Sequence, residues 1–141
     1  MRFMMLVKAT PESEAGLPPN PELMAAIGRL TEEQLVSGKL VAMLDGGGLL
    51  PSSRSARVKL AGGRVSTVDG PFTEAKELVG GYAIMEVRSM EDALELGREF
   101  MQVHAEVMGP GYEGELEIRP LFGPADLPGQ VPEHDCEPAA V

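Results

Sequence analysis

With 141 residues, 43% hydrophobic and 24% charged, the chain can bury a single-domain core without a metal or disulfide, and none is expected of it. Twelve basic against twenty-two acidic residues give a formal charge of −10; this excludes nucleic acid and anionic membranes as electrostatic partners, since both are bound through Lys and Arg. Cys136 is the sole cysteine and Trp is absent, so the chain forms no internal disulfide, suits a reducing compartment, and offers little to a cofactor that stacks between aromatic rings. No cofactor is expected.

In chain order, Phe3-Met4-Met5-Leu6-Val7 is apolar at consecutive positions and reads as a strand covered on both faces. The run is too short for a signal peptide and no later one reaches membrane-spanning length, so a soluble, cytoplasmic protein is expected. Residues 10–21 read as Pro-rich loop. Asn20 then caps a helix with Pro21 in its first position, Leu23, Ile27 and Leu30 on one face, and Gly38 as the stop. Leu40-Val41-Ala42-Met43-Leu44 reads as a second doubly covered strand, ending at Asp45-Gly46-Gly47-Gly48. These glycines lack the Lys-Ser/Thr of a phosphate loop and precede Leu49-Leu50-Pro51 rather than a helix.

Ala56, Val58 and Leu60 alternate with Arg57 and Lys59, and Gly62-Gly63 turns the chain into residues 64–68, which predicts a hairpin. A further apolar strand covers residues 82–87. Ser89 with Asp92 predicts a capping box opening a second helix, whose buried stripe carries Leu96, Phe100, Val103 and Val107 and which closes at Gly109-Pro110. Residues 115–119 alternate, leaving one wet face. Two strand–helix–strand halves with a hairpin between them predict an α+β, ferredoxin-like split βαβ sandwich over residues 1–122, and residues 123–141 form a Pro-rich acidic tail. Two helices cover one face of such a sheet. Strands apolar on both sides therefore predict a homodimer in which a second copy shields the other face.

Residues 69–77, Asp69-Gly70-Pro71-Phe72-Thr73-Glu74-Ala75-Lys76-Glu77, are unusual for a turn. Asp-Gly-Pro turns the chain, and Thr73 can then cap one helical turn that groups Glu74, Lys76 and Glu77 behind the Phe72 ring. Two readings stay open. In one, the segment binds a small ligand; in the other, Asp69 caps the turn through backbone amides, Phe72 plugs the core and the charges face solvent. His104, at the edge of the second helix's stripe, is either a general acid–base with Asp69 fixing its tautomer or a structural histidine at the helix end. Arg119, on the wet face of the last strand, is placed to meet either a substrate carboxylate or a surface ion-pair partner. His134, Asp135 and Cys136 in the tail supply too few ligands for a metal. Residues 91–117 hold eight acids and one base, Arg98, a solvated face or a docking surface for a basic partner.

The nine-residue motif with Gly80-Gly81 behind it resembles the signature of the DGPF branch of the YCII-related family; the strand at residues 2–7, the stretch 47–51 and the close Glu117-Ile118-Arg119-Pro120 match the same layout. The resemblance implies a ferredoxin-like domain whose dimer packs two sheets into a dimeric α/β barrel. Some relatives look like small isomerases or lactone-processing enzymes, and an Asp–His pair has been suggested as catalytic in others. Many are encoded beside extracytoplasmic-function sigma factors. The expected function is thus a dimeric protein binding a small, anionic molecule, as an isomerase or hydrolase with Asp69 and His104 as the catalytic pair and Phe72, Glu74, Lys76, Glu77 and Arg119 holding the ligand. The alternative is a non-catalytic accessory or regulatory partner of a sigma factor.

Overall fold

The computed structural model describes residues 1–73 and 77–127. Strand β1 (Arg2–Lys8) leads to a one-turn helix α1 (Pro11–Glu14), helix α2 (Pro21–Ser37), strands β2 (Ala42–Gly48), β3 (Ala56–Ala61), β4 (Arg64–Asp69) and β5 (Val79–Glu86), helix α3 (Met90–Met108) and strand β6 (Leu116–Pro120). Four strands form an antiparallel sheet in the order β2-β5-β1-β6, while β3 and β4 pair with each other as a separate two-stranded ribbon. The units β1-α2-β2 and β5-α3-β6 are interleaved in that sheet, which is the split βαβ arrangement of a ferredoxin-like α+β domain. No helix among the described residues is long and apolar enough to cross a membrane.

Local chemistry fixes both long helices. Asn20 Oδ1 accepts from the amides of Glu22 and Leu23, Pro21 follows, and Gly38 ends α2 at φ 79°, a conformation that glycine adopts without strain. Ser89 Oγ accepts from the amide of Asp92 to open α3. Asp92 directs its own carboxylate to Arg88, 3.6 Å away, so one half of the expected capping box is replaced by an ion pair.

The register sorts the sheet into two unlike faces. Phe3 stands opposite Met85, and Met5 opposite Ala83 and Ile118; on this side Phe3, Met5, Leu40, Met85 and Val87 pack with Ala93 and Leu96 of α3 into the core. Gly97 lets α3 settle onto β6, because a Cβ there would lie 2.8 Å from Ile118 Cδ1. The other face carries Met4 opposite Ile84 and Leu6 opposite Tyr82, all half-buried, with Arg2, Lys8, Glu86, Glu117 and Arg119 around them.

Three expectations need correction. The loop at residues 10–21 contains α1, because Thr10 and Ser13 cap each other reciprocally. The strand expected at residues 40–44 runs from Ala42 to Gly48 instead. Leu40 reaches the core just before it, whereas Met43 and Leu44 are exposed on an edge strand that bulges between Met43 and Asp45. Its glycines are strand residues, and Gly46 permits the close approach to β5: a Cβ there would lie 3.1 Å from the Tyr82 carbonyl oxygen. Finally, β5 begins at Val79, so Gly80 and Gly81 belong to the strand.

Candidate functional site

The turn after β4 is anchored from below. Gly70 donates its amide to the Ser55 carbonyl at 2.8 Å, and Phe72 donates its amide to Ser52 Oγ at 3.0 Å. Ser52, buried in the 3-10 turn Ser52–Arg54, donates its hydroxyl to Glu14 Oε2 at 2.5 Å and its amide to Glu14 Oε1 at 3.0 Å. A carboxylate accepting both bonds from one residue makes a strong, oriented link, since charge-assisted bonds are shorter and stronger than neutral ones. Gly70 is required here because a Cβ would overlap the carbonyl oxygen of Ser52. The Gly70–Pro71 peptide is cis.

This arrangement differs from the reading in which Asp69 caps the turn and Phe72 plugs the core. Asp69 is exposed and its side chain makes no hydrogen bond among the described residues, so the turn is held by Ser52 and Ser55 rather than by an Asp69 cap. Phe72 is half-buried, not a core plug, and the Arg57 guanidinium lies 3.7 Å above its ring, within cation–π range. Glu77 is exposed. Glu74 and Lys76 lie outside the described residues, as does the tail with His134 and Cys136. Glu14, Ser52 and Arg57 were not singled out from the sequence. A Thr-Pro-Glu-Ser run at residues 10–13 is the signal for α1, the element that brings Glu14 to Ser52.

His104 is 5% exposed. Its Nδ1 lies 2.8 Å from the Phe100 carbonyl oxygen, a partner that holds the proton on that nitrogen, and the ring packs between Phe100 and Tyr112 at centroid distances of 4.5 and 5.6 Å. Burial, and secondarily the charge of Glu12, push the Tyr112 hydroxyl above its ordinary value. No hydrogen bond or ion pair joins His104 to Asp69 among the described residues.

Two further places hold organised polar groups. On the open sheet face, Tyr82 donates its hydroxyl to Asp45 Oδ2 at 3.2 Å, and the Asp45 charge, followed by that bond, raises the phenol pKa. Lys8 lies 3.9 Å from Glu117, and Arg119 is exposed in line with Met4, with no carboxylate paired to it among the described residues. Between α2 and α3, an open groove of about 650 Å³ is lined by residues that include Gln34, Lys39, Arg98, Glu99 and Gln102. None of Asp69, Phe72, Glu77, His104 or Arg119 lines it. Two of its charges, Lys39 and Glu99, already have partners: Lys39 Nζ sits 2.8 Å from Glu95 and 2.7 Å from Glu99, and Gln34 donates to Glu99 at 3.0 Å. The hydrogen bonds from Gln34 and then Lys39 hold the Glu99 carboxyl below its ordinary value. The acidic stretch around α3 is thus partly neutralised inside the chain. Among the described residues, no three His, Cys, Asp or Glu side chains converge to hold a metal ion.

Comparison with known proteins agrees with this architecture. An uncharacterized protein of Rhizobium meliloti (strain 1021) is 29% identical over 82 residues, which cover 57% of this chain and 61% of that protein. The chain therefore spans less than two thirds of the curated relative it matches. The YCII-related domain matches residues 1–109, the stretch that contains the buried core residues from Phe3 to Leu96, and the chain belongs to that family.

Proposed function

We propose that the protein acts as a homodimer that packs the open faces of its two sheets together, closing a dimeric α/β barrel, and binds a small organic anion between them. The observation that supports this is the composition of the open face. Met4, Leu6, Tyr82 and Ile84 form a continuous apolar strip on the side away from the core, and α2 and α3 do not reach it. Large apolar side chains contribute roughly 1.5–3 kcal/mol each when fully buried, and a self-complementary sheet face is buried most simply by its own copy. The strip is rimmed by charges, and Arg119 at its edge is the cation that a carboxylate entering between the sheets would meet.

The reading is one of binding. A proton shuttle through Asp69 and His104 is not included, because His104 is engaged by Phe100 and Tyr112 while Asp69 stands exposed on β4. Docking of a sigma factor on the acidic helix is not adopted either, since Lys39 and Arg88 already occupy Glu95, Glu99 and Asp92.

The test is light scattering on the purified protein, followed by thermal-shift titration with short mono- and dicarboxylates from acetate to adipate. A dimer that Leu6→Asp converts to monomer, stabilised by at least one carboxylate in a manner that Arg119→Ala abolishes, is the expected result. A wild-type monomer overturns the assembly. A dimer that none of these carboxylates stabilises overturns the ligand.

A further inference from the structure

We propose that the β3–β4 ribbon is an arm that clasps a second copy of the chain; this rests on the homodimer reading and assigns part of its interface to a segment outside the sheet. All twelve ribbon residues are exposed. The strand register divides them into two faces. Val58, Leu60 and Val65 lie on one, together with Thr67 and Asp69, and the three apolar side chains are 71%, 74% and 71% exposed. Arg57, Lys59 and Arg64 lie on the other, which turns toward the chain's own turn at Arg57, over the Phe72 ring. The apolar face is therefore the outward one. A two-stranded ribbon with an exposed apolar face is marginal in water by itself and gains stability by packing on something else.

Charge identifies the occupant. The ribbon, residues 56–69, carries Arg57, Lys59 and Arg64 against the single acid Asp69, with Arg54 just before it, whereas eight bases stand against the other twenty-one acids in the remainder. The ribbon is a cationic projection on a strongly acidic body, so the body of a second copy attracts it while the two bodies repel each other. A nucleic acid would suit the cations, but it would be repelled by the body and would leave the apolar face uncovered. A second copy satisfies both faces. The turn anchored by Glu14, Ser52 and Gly70 then has a mechanical role: it fixes the direction in which the arm leaves the domain.

Sedimentation equilibrium on three single variants tests the inference. Because Leu60 and Ser66 lie in a ribbon outside the core and Leu6 lies on the sheet face away from it, all three are expected to keep the wild-type circular dichroism spectrum. Leu60→Asp, on the apolar face, weakens dimerisation by about tenfold or more. Ser66→Ala, on the opposite face, leaves the cations in place and changes the dissociation constant by less than about threefold. Leu6→Asp probes the sheet face separately. A wild-type monomer overturns both the arm and the assembly it rests on. If Leu6→Asp dissociates the dimer and Leu60→Asp leaves it intact, the arm alone falls; the reverse result sustains the arm and removes the sheet contact. Hydrogen exchange adds an independent reading. Protection of the ribbon amides that rises with protein concentration supports a second copy, whereas protection already complete in the monomer places a segment of the same chain on the arm and overturns the inference.

Discussion

The core sheet and the β3–β4 ribbon are built from similar residues and behave in opposite ways. In the sheet, Phe3, Met85 and Val87 are almost fully buried against Ala93 and Leu96. In the ribbon, Val58, Leu60 and Val65 are mostly exposed although the same alternation of side chains places them together on one face. The difference is a helix: α3 lies on one face of the sheet, and nothing among the described residues lies on the apolar face of the ribbon. Hydrophobic patterning therefore separates into a part satisfied inside the chain, which sets stability, and a part left outward, which sets assembly.

The sharpest test of that division truncates one residue from each region at concentrations where the chain is monomeric. Phe3→Ala, in the closed core, is expected to lower the free energy of unfolding by roughly 3–5 kcal/mol through lost burial and the cavity left behind. Val58→Ala is expected to change it by no more than about 0.5 kcal/mol. Urea denaturation reads both, and a cost for Val58→Ala approaching that of Phe3→Ala would show that the ribbon packs within its own chain. An intermediate effect is expected at the junction of the two regions. Gly70→Ala must push a Cβ against the backbone carbonyl of Ser52, which no side-chain rotation relieves, and is expected to cost about 1–3 kcal/mol. A neutral Gly70→Ala would mean that the turn is not seated on Ser52.

Much of this was legible in the sequence, for reasons that differ by element. The caps of α2 and α3 are single residues acting on their own backbone, so Asn20, Gly38 and Ser89 announce the helix ends without tertiary information. The ends of β2 were not legible. Whether Leu40-Val41-Ala42-Met43-Leu44 is strand depends on its neighbour, and pairing with β5 draws the strand four residues further, through glycines that disfavour strand on their own. The motif at residues 69–77 stood out as unusual, but its partners did not. Glu14 lies 38 residues before Ser52, and Ser52 lies 20 before Phe72, and no periodicity links residues that only the fold brings together. His104 was visible as a histidine on a helix; its Phe100 and Tyr112 partners decide that it is enclosed by rings.

The smallest expected effect separates the two regions by their response to pH and concentration. Gln34 and Lys39 hold the Glu99 carboxyl below its ordinary 4.5, and Glu95 and then Glu99 raise Lys39 above its ordinary 10.5. For Glu99 the folded state favours the ionised form, so its contribution is present above 4.5 and is lost as the pH falls through the lowered folded value. For Lys39 the contribution is present below 10.5 and is lost only as the pH rises through the raised folded value. Between those limits the contribution is flat, and because Lys39 is solvent-exposed it is modest. Glu99→Gln is thus expected to lower the melting temperature slightly at pH 7, and by progressively less as the pH is taken from 5 toward 3, where the wild-type carboxylate itself becomes protonated. The gap should not change with protein concentration, since Gln34, Lys39 and Glu99 belong to one chain. Leu60→Asp is expected to behave in the opposite way, with a deficit that grows with protein concentration because it is felt through the dimer. If the Glu99→Gln deficit tracked concentration as well, the groove between α2 and α3 would lie at the contact between copies, and the separation of a self-sufficient core from an outward-facing ribbon would have to be redrawn.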